Sequence, residues 1–283
     1  MPTPKLIIHG GFFSESNTNN EVKVAKQQSL LGIVQKAYDY LQSHSALETV
    51  VYANQLLEDD PLYNAGTGSH IQSDGVIRLS ASLMDGTRER FSGVINISNI
   101  QNPIHLTQIL LEEEDRVLSA EQAENYARLK GFKEFNPEIP QRREEYEQKL
   151  ATSRTSTVGC VALDADGNIA AGTSTGGKGF EIPGRVSDSA TVAGNFANPL
   201  AGVSCTGVGE DIVNASLASK IVTRVTDGFT LEDAVEKSFK ELKKFDGFAG
   251  VICIDKDGNI YHTDSHPYMV YAYHDGMKGV CFP

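Results

Sequence analysis

The sequence predicts an α+β fold in which antiparallel sheet is covered by helices. Two observations carry this. Three segments, 70–86, 158–175 and 249–265, each read as a β-rich run, an Asp-Gly turn and a second run. Asp-Gly between alternating apolar residues is a strong hairpin signal, and three hairpins imply extensive antiparallel pairing. Between them lie stretches whose apolar residues recur at helical spacing, so sheets packed under helices follow. With 283 residues, 40% of them hydrophobic, the chain can bury a large core as a single domain spanning 1–283.

The elements follow in order. Residues 5–9 form a short apolar strand ending at Gly10-Gly11. Val24, Leu30, Leu31, Val34, Ala37, Tyr38 and Leu41 mark an amphipathic helix over 22–44. A second helix covers 47–58 and stops before Pro61. Helices at 104–117 and 120–130 follow, the latter with Ser119 and Gln122 as a capping box. Another spans 209–226, and a last one starts at Thr230 as N-cap. Residues 131–156 are polar, dense in charge and interrupted by Pro137 and Pro140, which reads as an exposed, mobile linker. The DADGN turn at 164–168 lacks a glutamate at the twelfth position of a calcium loop, where Thr175 stands, and reads as a turn.

Composition excludes several functions. The formal charge is −12, a field that repels phosphate backbones and anionic lipid, so neither nucleic acid nor membrane is a partner. No apolar run nears the ~20 residues needed to span a bilayer, and no secretory signal is recognisable. Cys160, Cys205, Cys253 and Cys281 are widely spaced and read as packing thiols in a reducing cytoplasm. No P-loop, dinucleotide fingerprint, zinc motif or serine-hydrolase elbow occurs, and the seven histidines do not cluster. His9, alone at a strand end, reads as structural.

What remains is Thr, Ser and Gly concentrated in the second half: TSTVG at 155–159, TSTGG at 173–177, GRVSDS at 184–189 and SCTGVGE at 204–210. Thr157 begins one strand of a hairpin and Thr175 ends its partner, so the two are expected to be neighbours. Glycine-rich turns let backbone N–H groups approach a ligand closely.

With HGG at 9–11, NAGTGS at 64–69, MDG at 84–86 and NPI at 102–104, these motifs resemble the plant-type asparaginase and isoaspartyl peptidase family of N-terminal nucleophile hydrolases. The resemblance covers most of the chain. It implies a four-layer αββα sandwich and a precursor that cuts itself between Ser156 and Thr157, giving chains 1–156 and 157–283. It implies that Thr157 is the nucleophile, with its freed α-amine as base, and that Thr175 tunes its hydroxyl. Thr206 and the N–H of Gly207 would form the oxyanion hole, and Asn64 would assist self-cleavage. Arg185 would hold the substrate α-carboxylate, Asp188 its α-ammonium, and Gly209 would line the pocket.

The same resemblance implies no cofactor for the chemistry and one structural Na⁺. The carbonyls of Leu57, Glu58, Asp60, Tyr63, Ala65 and Thr67 would hold it. The implied substrates are β-aspartyl dipeptides and L-asparagine, and the implied assembly is a homodimer of αβ units. A glycosylasparaginase-like amidase and a non-catalytic, aspartyl-binding member are the alternatives. Four features depart from the family pattern: Ser156 in place of Gly or Asp, Ser187 in place of Gly, the short HGGFF opening, and the stretch 262–276.

Overall fold

The computed structural model describes residues 2–13, 20–148, 157–266 and 268–283. It is a mixed α+β structure with two sheets and helices. The chain runs β1 (Lys5–Phe12), α1 (Asn20–Leu41), α2 (Ala46–Asp59), β2 (Leu79–Asp85), β3 (Arg90–Ile97), α3 (Pro103–Leu110), β4 (Val117–Ser119), α4 (Ala120–Leu129) and α5 (Pro140–Glu147). The second half continues with β5 (Thr157–Leu163), β6 (Ile169–Thr175), β7 (Asn195–Ala197), β8 (Ala201–Gly207), α6 (Gly209–Ala215), α7 (Leu217–Thr226), α8 (Leu231–Leu242), β9 (Ala249–Asp255), β10 (Ile260–Asp264), β11 (Met269–His274) and β12 (Gly279–Cys281). The larger sheet has the order β12-β11-β1-β5-β6-β2-β3-β4, the smaller β10-β9-β8-β7.

Strand alternation sorts the core. Val158, Cys160 and Ala162 of β5 join Val50, Ala53 and Leu57 of α2 on one face. Val161 and Leu163, on the other face, pack with Ile252 and Ile254 of the small sheet. The far side of the small sheet, through Val203, Cys205 and Val251, meets Ile221 and Val222 of α7 and Ala234 and Val235 of α8.

Two of the three hairpins stand where the sequence places them. Asp164 turns β5 into β6 by accepting from the N–H groups of Asp166 and Asn168 at 3.0 and 2.9 Å. Asp255 does the same for β9 and β10 with Asp257 and Asn259. Carboxylates bound in this way belong to turns, and the DADGN stretch is one. The first hairpin is displaced. Residues 70–78 form no strand, and β2 pairs with β3 across Gly86–Glu89, at the second Asp-Gly of the segment.

Other expectations are corrected. β1 runs through Gly10-Gly11 to Phe12. The 104–117 helix ends at Leu110, before the run Glu112, Glu113, Glu114, Asp115, whose charges oppose a helix C-terminus. Ser119 makes no side-chain cap, since it ends β4 and pairs with Ile95. The 209–226 helix breaks at Ser216, which is left-handed with φ 49°. The break lets the first turn of α7 donate the N–H groups of Ala218 and Ser219 to the carbonyls of Ala193 and Val192. Thr230 is the N-cap of α8, accepting from Asp233 N at 3.1 Å.

The expected linker contains a docked helix in its described part. Pro140 opens α5, where a missing N–H costs nothing. Arg142 donates to the carbonyl of Gly68 at 2.7 Å, Gly68 N donates back to Pro137, and Tyr146 stacks on Phe180. Residues 149–156, Ser156 among them, lie outside the described residues.

Candidate active site

Thr157 is the first residue of β5 and pairs with Thr175, the last of β6, which pairs in turn with Ser80 of β2. Sharing the parity of Val161 and Leu163, Thr157 projects from the face that meets the small sheet. Its hydroxyl lies 3.3 Å from Thr175 Oγ1 and 3.3 Å from Ser189 Oγ. Thr175 Oγ1 accepts from the Thr157 hydroxyl and also from Gly177 N, the latter at 3.2 Å. The bond between Thr157 and Ser189 runs in either direction, and a donating Ser189 hydroxyl favours negative charge on the Thr157 oxygen.

Asp188 immediately precedes Ser189 and opens a single 3₁₀ turn. Its Oδ2 is buried and meets no hydrogen-bond partner among the described residues. Burial pushes the Asp188 carboxyl up to about 7, opposed by the nearby Arg185 guanidinium. Thr206, fully buried on β8, also has an unpartnered hydroxyl. Buried polar groups are ordinarily satisfied, so each of these two orphans is a group able to take a further partner.

The glycines fit that reading. A Cβ on Gly209 would stand 2.8 Å from Asp188 Oδ1 and 2.9 Å from Arg185 Nη2, so the glycine keeps the space beside the pair open. Gly207 has φ +141°, a region closed to other residues, and a side chain there would run into the carbonyl of Phe248. Arg185 turns one edge to Glu210, 2.8 Å from Nε and 2.9 Å from Nη2.

Asn64 sits one loop away and is fully occupied. Its Nδ2 donates to Gly177 O at 2.6 Å, its Oδ1 accepts from His70 N at 2.7 Å, and its carbonyl accepts from Gly176 N at 2.8 Å. It therefore binds the 64–70 loop to the residues that follow Thr175. Upstream, the same loop closes on itself: Glu58 O accepts from Thr67 N at 2.8 Å and Asp60 O from Tyr63 N at 3.2 Å. Gly66 allows the closure, since a Cβ would stand 2.5 Å from Glu58 O. Among the described residues, no cluster of His, Cys, Asp and Glu could hold a metal ion, so any cation here would depend on carbonyl oxygens. Such hard, neutral donors suit an alkali cation.

Sequence reasoning missed Ser189 and Glu210. Both stand inside motifs already singled out, GRVSDS and TGVGE, so the signal was present but no role was attached to it. It also set His9 aside. His9 is completely buried, and burial holds its imidazole down at about 3.

The chain is similar to known proteins over most of its length. A family model described as Asparaginase matches residues 2–155 and 139–280. An isoaspartyl peptidase/L-asparaginase of Synechocystis sp. is 47% identical over 97% of this chain and 88% of its own. The isoaspartyl peptidase of Escherichia coli is 36% identical over 90% of this chain and 88% of its own. A plant-type L-asparaginase of Pyrococcus furiosus is 34% identical over 96% and 97%.

Proposed function

Since the chain belongs to the asparaginase family matched over nearly all of its length, we propose that it is a self-processing amidohydrolase of β-aspartyl dipeptides and L-asparagine. The observation that carries the reading is the pairing of Thr157 with Thr175, with the Thr157 hydroxyl 3.3 Å from two others. Thr157 is thus an alcohol at a strand start, where a cut before residue 157 would expose an α-amine on the same residue.

An α-amine titrates near ~7.7–8.0, so a useful share is neutral at cellular pH. It takes the proton of the Thr157 hydroxyl as the oxygen attacks the side-chain carbonyl of the substrate. The developing oxyanion is met by the Thr206 hydroxyl and the Gly207 N–H, which accounts for the orphaned Thr206 Oγ1. Collapse returns the proton to the leaving nitrogen and expels ammonia or the amine of the second residue. Water then hydrolyses the threonyl ester and releases aspartate. The substrate α-ammonium meets the Asp188 carboxylate, whose Oδ1 borders the space left by Gly209, and Arg185 receives the α-carboxylate beside it. Asn64 holds the loop against Gly176 and Gly177 while the precursor cuts itself.

The account extends to the whole molecule. The three apolar clusters, one between the sheets and one beyond each, favour four αββα layers. The carbonyls of Leu57, Glu58, Asp60, Tyr63, Ala65 and Thr67 would hold a Na⁺ that steadies this loop and takes no part in the chemistry. We place the active form as a homodimer of αβ units in the cytoplasm; no described helix is long and apolar enough to cross a membrane.

A substrate panel on the processed protein tests the reading. Release of aspartate from β-aspartyl dipeptides and asparagine, and not from glycosylated asparagine, is expected. Hydrolysis of the glycosylated substrate alone would make it a glycosylasparaginase-like amidase. No hydrolysis of any of the three by fully processed protein would leave an aspartyl-binding member.

A further inference from the structure

Beneath Thr157 lies a second row of polar side chains that the proposed reaction does not use. His9 on β1 pairs with Gly159 on β5, Gly159 with Thr173 on β6, and Thr173 with Ser82 on β2. The row is one side-chain repeat further into the sheet than Thr157, Thr175 and Ser80, and on the same face. His9, Thr173 and Ser82 are completely buried. From the facing sheet Ser204 completes the row, its Oγ 2.9 Å from His9 Nε2 and 2.7 Å from Thr173 Oγ1.

Gly159 makes this meeting possible. A side chain there would overlap Ser204 Oγ and stand 2.5 Å from His9 Nε2. The imidazole therefore lies across β5 in the space that the glycine leaves.

The row borders the nucleophile residue through His9 and reaches it through Ser82. The His9 ring packs against β5 at Gly159, two residues from Thr157, and its Nδ1 meets no hydrogen-bond partner among the described residues. Ser82 Oγ donates to Ser189 O at 2.6 Å, and Ser189 Oγ lies 3.3 Å from Thr157 Oγ1. The next row inward is Ile7, Val161, Ala171 and Met84, all apolar. Apolar side chains at the depth of His9 would avoid the cost of burying groups that need partners. What the polar row provides is a fixed setting for the residue above it.

We propose that His9, held by the Ser204–Thr173 pair against Gly159, is a positioning residue that fixes the start of β5 so that the amine and hydroxyl of Thr157 face the substrate carbonyl. The inference rests on Thr157 being the nucleophile. His9 is not a second base. Burial keeps it neutral, and its contacts are Ser204 and β5 at Gly159, with the Thr157 hydroxyl turned to Thr175 and Ser189. Loss of such a support displaces a reacting atom without touching the substrate site. A shift near 1 Å costs on the order of 100-fold in rate.

The experiment compares Ser204→Ala, His9→Leu, His9→Gln and Thr157→Ala, with β-aspartyl dipeptide hydrolysis normalised to processed chain by intact mass. Ser204→Ala and His9→Leu are expected to lower kcat about tenfold or more, with KM within about twofold. The acid limb of kcat against pH is expected to stay in place. His9→Gln, which keeps an N–H donor, is expected to recover part of the loss. Ser204→Ala removes only one oxygen, so it decides the matter if His9→Leu fails to fold. Wild-type kcat in Ser204→Ala, whatever its Tm, would reduce the row to a structural feature. A shifted acid limb in His9→Gln would make His9 a titrating participant and equally overturn the proposal. Turnover by Thr157→Ala is a separate result, which removes the nucleophile and not the row.

Discussion

Arg185 lays the Nε–Nη2 edge of its guanidinium on the carboxylate of Glu210, at 2.8 and 2.9 Å. The hydrogen bonds from Arg185 hold the Glu210 carboxyl down at about 2, so the pair stays ionised over any working pH. One edge of the guanidinium is thereby fixed, and the other remains for a ligand carboxylate. Arg185 is mostly buried, with 14% of its side chain exposed, whereas Glu210 is 52% exposed. Glu210 thus acts as a brace reaching in from the rim.

Glu210→Gln should raise KM for β-aspartyl dipeptides several-fold and leave kcat near the wild-type value. The variant loses the charge that orients Arg185 while the chemistry at Thr157 is untouched. Steady-state kinetics on processed enzyme checks this. A fall in KM would show that Glu210 competes with the substrate for Arg185.

Arg185→Lys should raise KM about 30- to 150-fold, the equivalent of about 2–3 kcal/mol, because an ammonium cannot reproduce a planar two-point contact. The substitution would also remove the paired bonds to Glu210. Self-cleavage should proceed, since the scissile peptide has no carboxylate for this residue to hold. An unchanged KM would take Arg185 out of the substrate site.

Asp188→Asn should make the unliganded protein more stable at alkaline pH while abolishing substrate binding. In the fold, burial raises the Asp188 carboxyl to about 7, against roughly 3.9 in the unfolded chain. Between these values the folded state binds more protons than the unfolded state. Stability therefore falls as pH rises from about 4 to about 7, then levels off. The full effect is about 4 kcal/mol as an upper bound. Tm against pH for both proteins checks the sign. The variant should gain on the wild type from pH 5 to pH 8, and parallel curves would mean that Asp188 is ionised without cost.

Much of this site was legible in the sequence because its key pairing is local. Thr157 and Thr175 end the two arms of one hairpin, and the Asp164 turn fixes their register. The polar row under Thr157 was not legible. His9 and Ser204 are 195 residues apart and meet only when two sheets stack. The first hairpin was displaced because the segment holds two Asp-Gly pairs, at 74–75 and 85–86, and β2 is buried on both faces, so alternation could not choose between them. The linker misled by composition. Its charges bind one another at short range, Arg142 to Glu145 and Arg143 to Glu138, and a single aromatic, Tyr146, docks the helix on Phe180.

Mass spectrometry of freshly purified wild type and Thr157→Ala tests the central claim most directly. One hydroxyl is assigned both self-cleavage and turnover. The wild type should therefore resolve into fragments of about 17 and about 14 kDa, the 30.7 kDa chain divided in proportion to residue number, the smaller beginning at Thr157. Thr157→Ala should remain a single chain and release no aspartate from a β-aspartyl dipeptide. A single wild-type chain that hydrolyses the dipeptide, or a Thr157→Ala protein that is cut and active, would contradict the account.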